Sequence, residues 1–129
     1  MQTIGHYIDG EIVSGKSDRT SDVFNPATGE VQAKVSLATV DEMNWAVEIA
    51  AKAQPAWAAT NPQRRARVLM KFVDLLNRDM DKLAECLSRE HGKTLPDAAG
   101  DVIRGLEVVE YCIGAPQLLK GEYTDSAGP

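Results

Sequence analysis

Near residue 38 the spacing of apolar side chains changes, and this change constrains the fold more than any other feature of the chain. Before it, apolar and polar residues alternate, the period of a half-buried strand; after it, they recur three and four residues apart, the period of a helix. The expected fold class is therefore α/β, with β-hairpins first and three to four helices afterwards. The parallel sheet that such helices usually cover is missing from the sequence pattern.

In the first part, "HYIDGEIVSG" alternates around Asp9-Gly10, a strong short hairpin signal, so residues 6 to 14 read as two strands and a tight turn. A second pair is expected where Asn25-Pro26 and Thr28-Gly29 separate Val23-Phe24 from Val31 to Val35. Two strand pairs thus occupy about residues 6–37.

Helices are expected over about residues 40–116. Thr39 with Glu42 is a capping box, and Met43, Ala46, Val47 and Ala50 follow on one face of a helix expected to stop near Pro55. Asn61-Pro62 starts a second helix with the stripe Val68, Leu69, Phe72 and Leu76. After a break near Asp79, Met80, Leu83, Ala84 and Leu87 continue to a terminal glycine, Gly92. The last helix begins at Thr94 and is expected to stop at Gly114-Ala115-Pro116. The tail, residues 117–129, has no strong period and no closing element.

Charge narrows the function classes. With 14 Lys and Arg against 19 Asp and Glu, the net charge of -5 repels nucleic acid and anionic membranes. The one basic cluster, Arg64-Arg65-Ala66-Arg67, carries no aromatic residues for stacking on bases. No signal peptide or membrane-spanning run is legible, so the expected location is cytoplasmic, or an organelle reached by a signal not visible here. Cys86 and Cys112 sit in helical apolar patterns and are expected to be buried free thiols. With only His6 and His91, zinc-ligand spacing is absent.

Several motifs fail on inspection. Gly92-Lys93-Thr94 resembles the end of a phosphate loop, but Leu87 stands where the first glycine is needed, and helix precedes it where a strand is required. No G-x-G-x-x-G or G-x-S-x-G occurs. Asp97, Asp101, Glu107 and Glu110 read as a solvated helix face, since acid–base catalysis would need a nucleophile or metal beside them.

Arg104 is harder to place. It interrupts the apolar run Val102, Ile103, Leu106 and Val109, with Gly105 behind it and Gly100 one turn back. One reading is a surface ion pair with Asp101 or Glu107, worth about 0.2–0.5 kcal/mol. The other is a planar guanidinium beside bare backbone, placed to take the carboxylate of a small ligand.

"YIDGEIV", "FNPATGEVQAKV", "AQPAWA", "RRARVLMKFVDLL", "EHGKTL" and "DAAGDVIRGLEVVEY", in this order, resemble the N-terminal region of the aldehyde dehydrogenase superfamily. The last stretch is most similar to the CoA-acylating methylmalonate-semialdehyde dehydrogenases, and the likeness runs from about Tyr7 to Gly121. It implies that residues 1–129 are an N-terminal segment of the NAD-binding domain of such an enzyme, active in valine or inositol breakdown. In the complete enzyme it implies NAD and CoA as cofactors, a semialdehyde substrate oxidised through a cysteine thioester, and a homotetramer built from dimers. The catalytic cysteine and the cofactor loop lie downstream in the family, so the chain alone is expected to be inactive and to hold no cofactor.

The resemblance also implies site residues. Arg104 matches the arginine of an "RG" pair that binds the substrate carboxylate. The backbone carbonyls of Val23 and Phe24, with Glu90, match a monovalent-cation site, Glu90 standing where other members carry aspartate. Two alternatives remain open: a stand-alone, noncatalytic helical module that associates through its apolar faces, and a dehydrogenase for another semialdehyde.

Overall fold

Asp9 and Gly10 both take positive φ, 56° and 81°, as the two central residues of a type I′ turn must. They join β2 (His6–Ile8) to β3 (Glu11–Val13) in an antiparallel hairpin, with Tyr7 opposite Ile12. The structure is a computed structural model and describes residues 1–122.

The second expected pair also forms. β4 (Thr20–Phe24) runs antiparallel to β5 (Val31–Ser36), with a register shift between Val23 and Phe24. In the connection, the Asn25 side chain accepts from the Ala27 N–H at 2.9 Å, the local bond that makes Asn-Pro a turn initiator. A third strand was not foreseen: β1 (Gln2–Ile4) pairs in parallel with β5, placing Gln2 opposite Ala33 and Ile4 opposite Val35. The result is a mixed three-stranded sheet of order β1-β5-β4 beside the separate hairpin.

Thr39 caps α1 (Val40–Ala59) with both halves of the capping box. The expected stop at Pro55 is wrong, because α1 passes through Pro55 and ends only at Ala59. A proline removes one intrahelical bond, and a single missing bond near the end leaves a last turn that closes through the Thr60 N–H on the Trp57 carbonyl. Asn61, accepting from the Gln63 N–H, and Pro62 begin α2 (Pro62–Arg78) as expected. Asp79 separates α2 from α3 (Met80–His91), and Gly92, at φ 82°, closes α3 in the left-handed region.

Thr94 precedes α4 (Leu95–Ile113), although its side chain makes no capping bond. The stop at Gly114 is only a corner, since a short α5 (Ala115–Leu118) follows and reaches into the tail expected from residue 117. The rest of the expected tail, residues 123–129, lies outside the described residues.

Helices α2, α3 and α4 pack together, and α5 folds back on α2 and α4. The buried apolar side chains among the described residues are Ala33, Ala66, Ala84, Ala98 and Leu106. Apart from Leu106 all are alanines, so helix contacts are close but the apolar volume enclosed is small. Leu69 and Leu76 of the α2 stripe turn toward this core, whereas Val68 and Phe72 remain exposed. α1 lies largely in the open, with Glu42 its one buried residue. No helix among the described residues is long and apolar enough to cross a membrane.

Candidate functional site

The first turns of α4 carry the densest charged group. Lys93, just before the helix, reaches forward to Asp97 at 3.2 Å and to Asp101, one and two turns in. Asp101 also accepts from Arg104 Nη1 at 2.7 Å, so one carboxylate joins two cations. The members differ in exposure: the Lys93 side chain is 16% exposed, that of Asp101 35% and that of Arg104 75%. The hydrogen bond from Lys93 holds the Asp101 carboxyl below the ordinary aspartate range, and Arg104 adds smaller shifts in the same direction. The bonds to Asp101 and then Asp97 raise the Lys93 ammonium, so the group stays fully charged at neutral pH.

Of the two carboxylates the sequence offers to Arg104, only Asp101 pairs with it among the described residues. No neighbouring helix among the described residues comes close to either flanking glycine. A Cβ built on Gly100 or Gly105 meets nothing within 4 Å. Among the described residues, open space therefore lies over both glycines. Gly105 also lines an apolar groove of about 360 Å³ with Phe72, Leu76, Leu83, Val102, Leu106 and Val109.

Val23, Phe24 and Glu90 meet a different arrangement. The Gln32 side-chain amide donates to the Phe24 carbonyl at 3.2 Å and to the Arg89 carbonyl at 3.4 Å, bridging β4 to the end of α3. A donor N–H thus stands against the carbonyl that a cation would need. Glu90 is exposed, and no cluster of three His, Cys, Asp or Glu occurs among the described residues.

The sequence reading missed the Gln32 bridge and the part played by Lys93. The first joins residues 57 apart in the chain and left no local signal. The second was partly legible, since Lys93 and Asp97 have the one-turn spacing of helical ion pairs. The cysteines require a correction: Cys86 and Cys112 are free but exposed. Their apolar stripes were recognised, but no described segment covers those positions.

A model of the aldehyde dehydrogenase family matches residues 12–128. The malonate-semialdehyde dehydrogenase of Pseudomonas aeruginosa is 47% identical over 129 residues, all of this chain and 26% of that protein. The mitochondrial, acylating methylmalonate-semialdehyde/malonate-semialdehyde dehydrogenase of Mus musculus is 43% identical over 95% of this chain and 23% of that protein. A solved structure from Sinorhizobium meliloti 1021, provisionally assigned as a methylmalonate-semialdehyde dehydrogenase and complexed with NAD, superposes with a TM-score of 0.93. It is 63% identical, over 100% of this chain and 26% of that one. The chain spans about a quarter of the length of these relatives.

Proposed function

Because this chain belongs to the aldehyde dehydrogenase family, we propose that it is the N-terminal portion of an NAD-dependent, CoA-acylating malonate/methylmalonate-semialdehyde dehydrogenase. The observation that carries the substrate class is Arg104, an exposed guanidinium in the residue before Gly105, which itself lines an apolar groove. The names of the relatives support the same class, and the NAD complex of one of them supports the cofactor. Use of CoA as acyl acceptor rests on the acylating relative. The whole enzyme is read as a cytoplasmic homotetramer assembled as a dimer of dimers.

Within this reading the residues described here bind and orient; they do not carry the redox step. Bound NAD accepts hydride in such a dehydrogenase. The present residues do not fit that cofactor, since no glycine-rich dinucleotide loop occurs in the sequence. Arg104 neutralises the substrate carboxylate and fixes the far end of a short molecule, so that its aldehyde is presented at one distance from the arginine. The cation assignment for Val23, Phe24 and Glu90 stands as a subsidiary proposal, in which the Gln32 amide shares the Phe24 carbonyl with the cation or turns away from it. In the complete enzyme, potassium-dependent stability altered by Gln32→Ala would support it, and indifference to the cation would remove it.

The test of the main reading uses the complete enzyme. With the substrate carboxylate and Arg104 enclosed together in the complete enzyme, truncating one partner of the charged pair costs about 2–5 kcal/mol, so Arg104→Leu should lower kcat/KM for methylmalonate semialdehyde by roughly 30-fold or more. Propanal, which has no carboxylate, should lose far less. Lysine should rescue only in part, because a point charge does not reproduce the fork. An unchanged ratio between the two aldehydes would reduce Arg104 to a surface ion-pair residue.

The second reading, a noncatalytic association module, is favoured by a different observation. Twenty large apolar side chains are exposed among the described residues, including Trp45, Trp57, Phe72, Ile103 and Tyr111. A continuous reading frame encoding a cysteine motif downstream would support the enzyme; a stop codon there would support the module.

A further inference from the structure

The acidic residues at the start of α4 first read as a solvated face, yet one of them does what the others do not. Asp101 alone touches both Lys93 and Arg104, whereas Asp97 touches only Lys93. Order along this chain of contacts runs outward from the least exposed member. Lys93 is mostly covered, and its position is further restrained because its backbone carbonyl accepts from the Ser88 hydroxyl at 2.7 Å. Asp101 is half-covered, and Arg104 reaches solvent.

An exposed arginine samples many rotamers, and ordering it on ligand binding costs conformational entropy. A carboxylate already holding one terminal nitrogen removes part of that cost. The pairing uses Nη1, and among the described residues Nε and Nη2 have no hydrogen-bond partner. Those two nitrogens form the edge that a second carboxylate takes in a fork-to-fork pair.

We propose that Asp101 is the positioning residue for Arg104: anchored by Lys93, it holds one terminal nitrogen of the guanidinium and leaves the Nε–Nη2 edge free for the substrate carboxylate. The inference rests on the reading of Arg104 given above and adds how that residue is aimed. Asp101 touches no reacting atom. Its charge also sets a balance, because two cations and two carboxylates sum to zero before substrate arrives, and the substrate then meets a guanidinium already turned outward.

The experiment compares Asp101→Asn, Asp101→Glu and Asp97→Asn in the complete enzyme, with methylmalonate semialdehyde and propanal as substrates. An asparagine cannot accept from both cations with full charge, so one contact of Asp101 is lost. The expected result is a fall of about three- to five-fold in the ratio of kcat/KM for the two aldehydes, the size of effect an exposed ion pair carries. The fall should appear in KM for the semialdehyde and not in kcat, and Asp101→Glu should recover part of it. Asp97→Asn, which removes one partner of Lys93 and leaves its bond to Asp101 in place, should leave the ratio as it is.

Equal losses on both aldehydes would assign Asp101 a structural role and overturn the proposal. A raised ratio would overturn it as well, by showing that Asp101 competes with the substrate instead of aiming its partner. If Arg104→Leu shifts the ratio and Asp101→Asn does not, positioning fails while the carboxylate reading survives. If Arg104→Leu shifts nothing, both fail.

Discussion

Glu42 ties three parts of the chain together through one carboxylate. Its Oε1 accepts from the Lys16 N–H at 2.7 Å, and its Oε2 accepts from the Thr39 N–H at 2.8 Å and the Thr39 hydroxyl at 3.0 Å. The Thr39 and Lys16 backbone N–H groups, in that order, hold the carboxyl below its ordinary 4.5. A depressed folded value means that this contribution to stability is fully present above the unfolded value and is lost as pH falls through the folded one. Protection of the Lys16 amide from hydrogen exchange should therefore persist at neutral pH and vanish only well into the acid range. Glu42→Ala, which leaves no acceptor, should abolish that protection at every pH. Loss of protection already near pH 6 would contradict the assignment. The exposed thiols lead to a second expectation: in the isolated chain Cys86 and Cys112 should both be labelled stoichiometrically by a thiol reagent, as mass spectrometry would show. Slow modification of either would mean that it is covered after all.

At the scale of elements, the end of α3 is where helix and sheet are joined. Gly92 takes φ 82°, and a Cβ built there would stand 3.0 Å from Pro26 Cγ in the β4–β5 turn. The Gln32 amide, bonded to the Arg89 carbonyl, secures the same junction from the sheet side. Gly92→Ala meets both a left-handed backbone and a crowded proline ring, so it should cost more than the roughly 1 kcal/mol of the backbone effect alone. Thermal denaturation of the complete protein would register this as a lowered Tm. An unchanged Tm would mean that the turn and the helix end move apart freely.

At the scale of the whole molecule, the small enclosed core and the many exposed apolar side chains decide what the chain does alone. Burying alanines returns little, since stabilisation follows the apolar area removed from water at about 25 cal/mol per Å². Exposed apolar surface beyond a few hundred Å² drives association. The purified 129-residue chain should therefore self-associate or melt without a sharp transition, and calorimetry should find no saturable micromolar binding of NAD to it. A monomer by sedimentation with cooperative melting would favour the independent module. Saturable NAD binding would overturn the placing of the cofactor site downstream.

What the sequence determined by itself is local. The Asp9-Gly10 turn, the Thr39–Glu42 box, the Asn61-Pro62 start, the Asp79 break and the Gly92 stop all depend on groups within a few residues of one another, so they are legible in order along the chain. Arg104 stood out for the same reason: a charge beside glycine inside an apolar run is a local anomaly. The tertiary structure decided the rest. Pairing of β1 with β5 joins Gln2 to Ala33, the Gln32 bridge joins the sheet to α3, and Lys93 is drawn over Asp101 only once α4 has formed. Whether Cys86, Cys112, Val68 or Phe72 is covered was likewise not a property of its stripe. Periodicity states which face of a helix is apolar, whereas burial requires a second surface against that face, and the position of that surface is set by contacts between residues far apart in the chain.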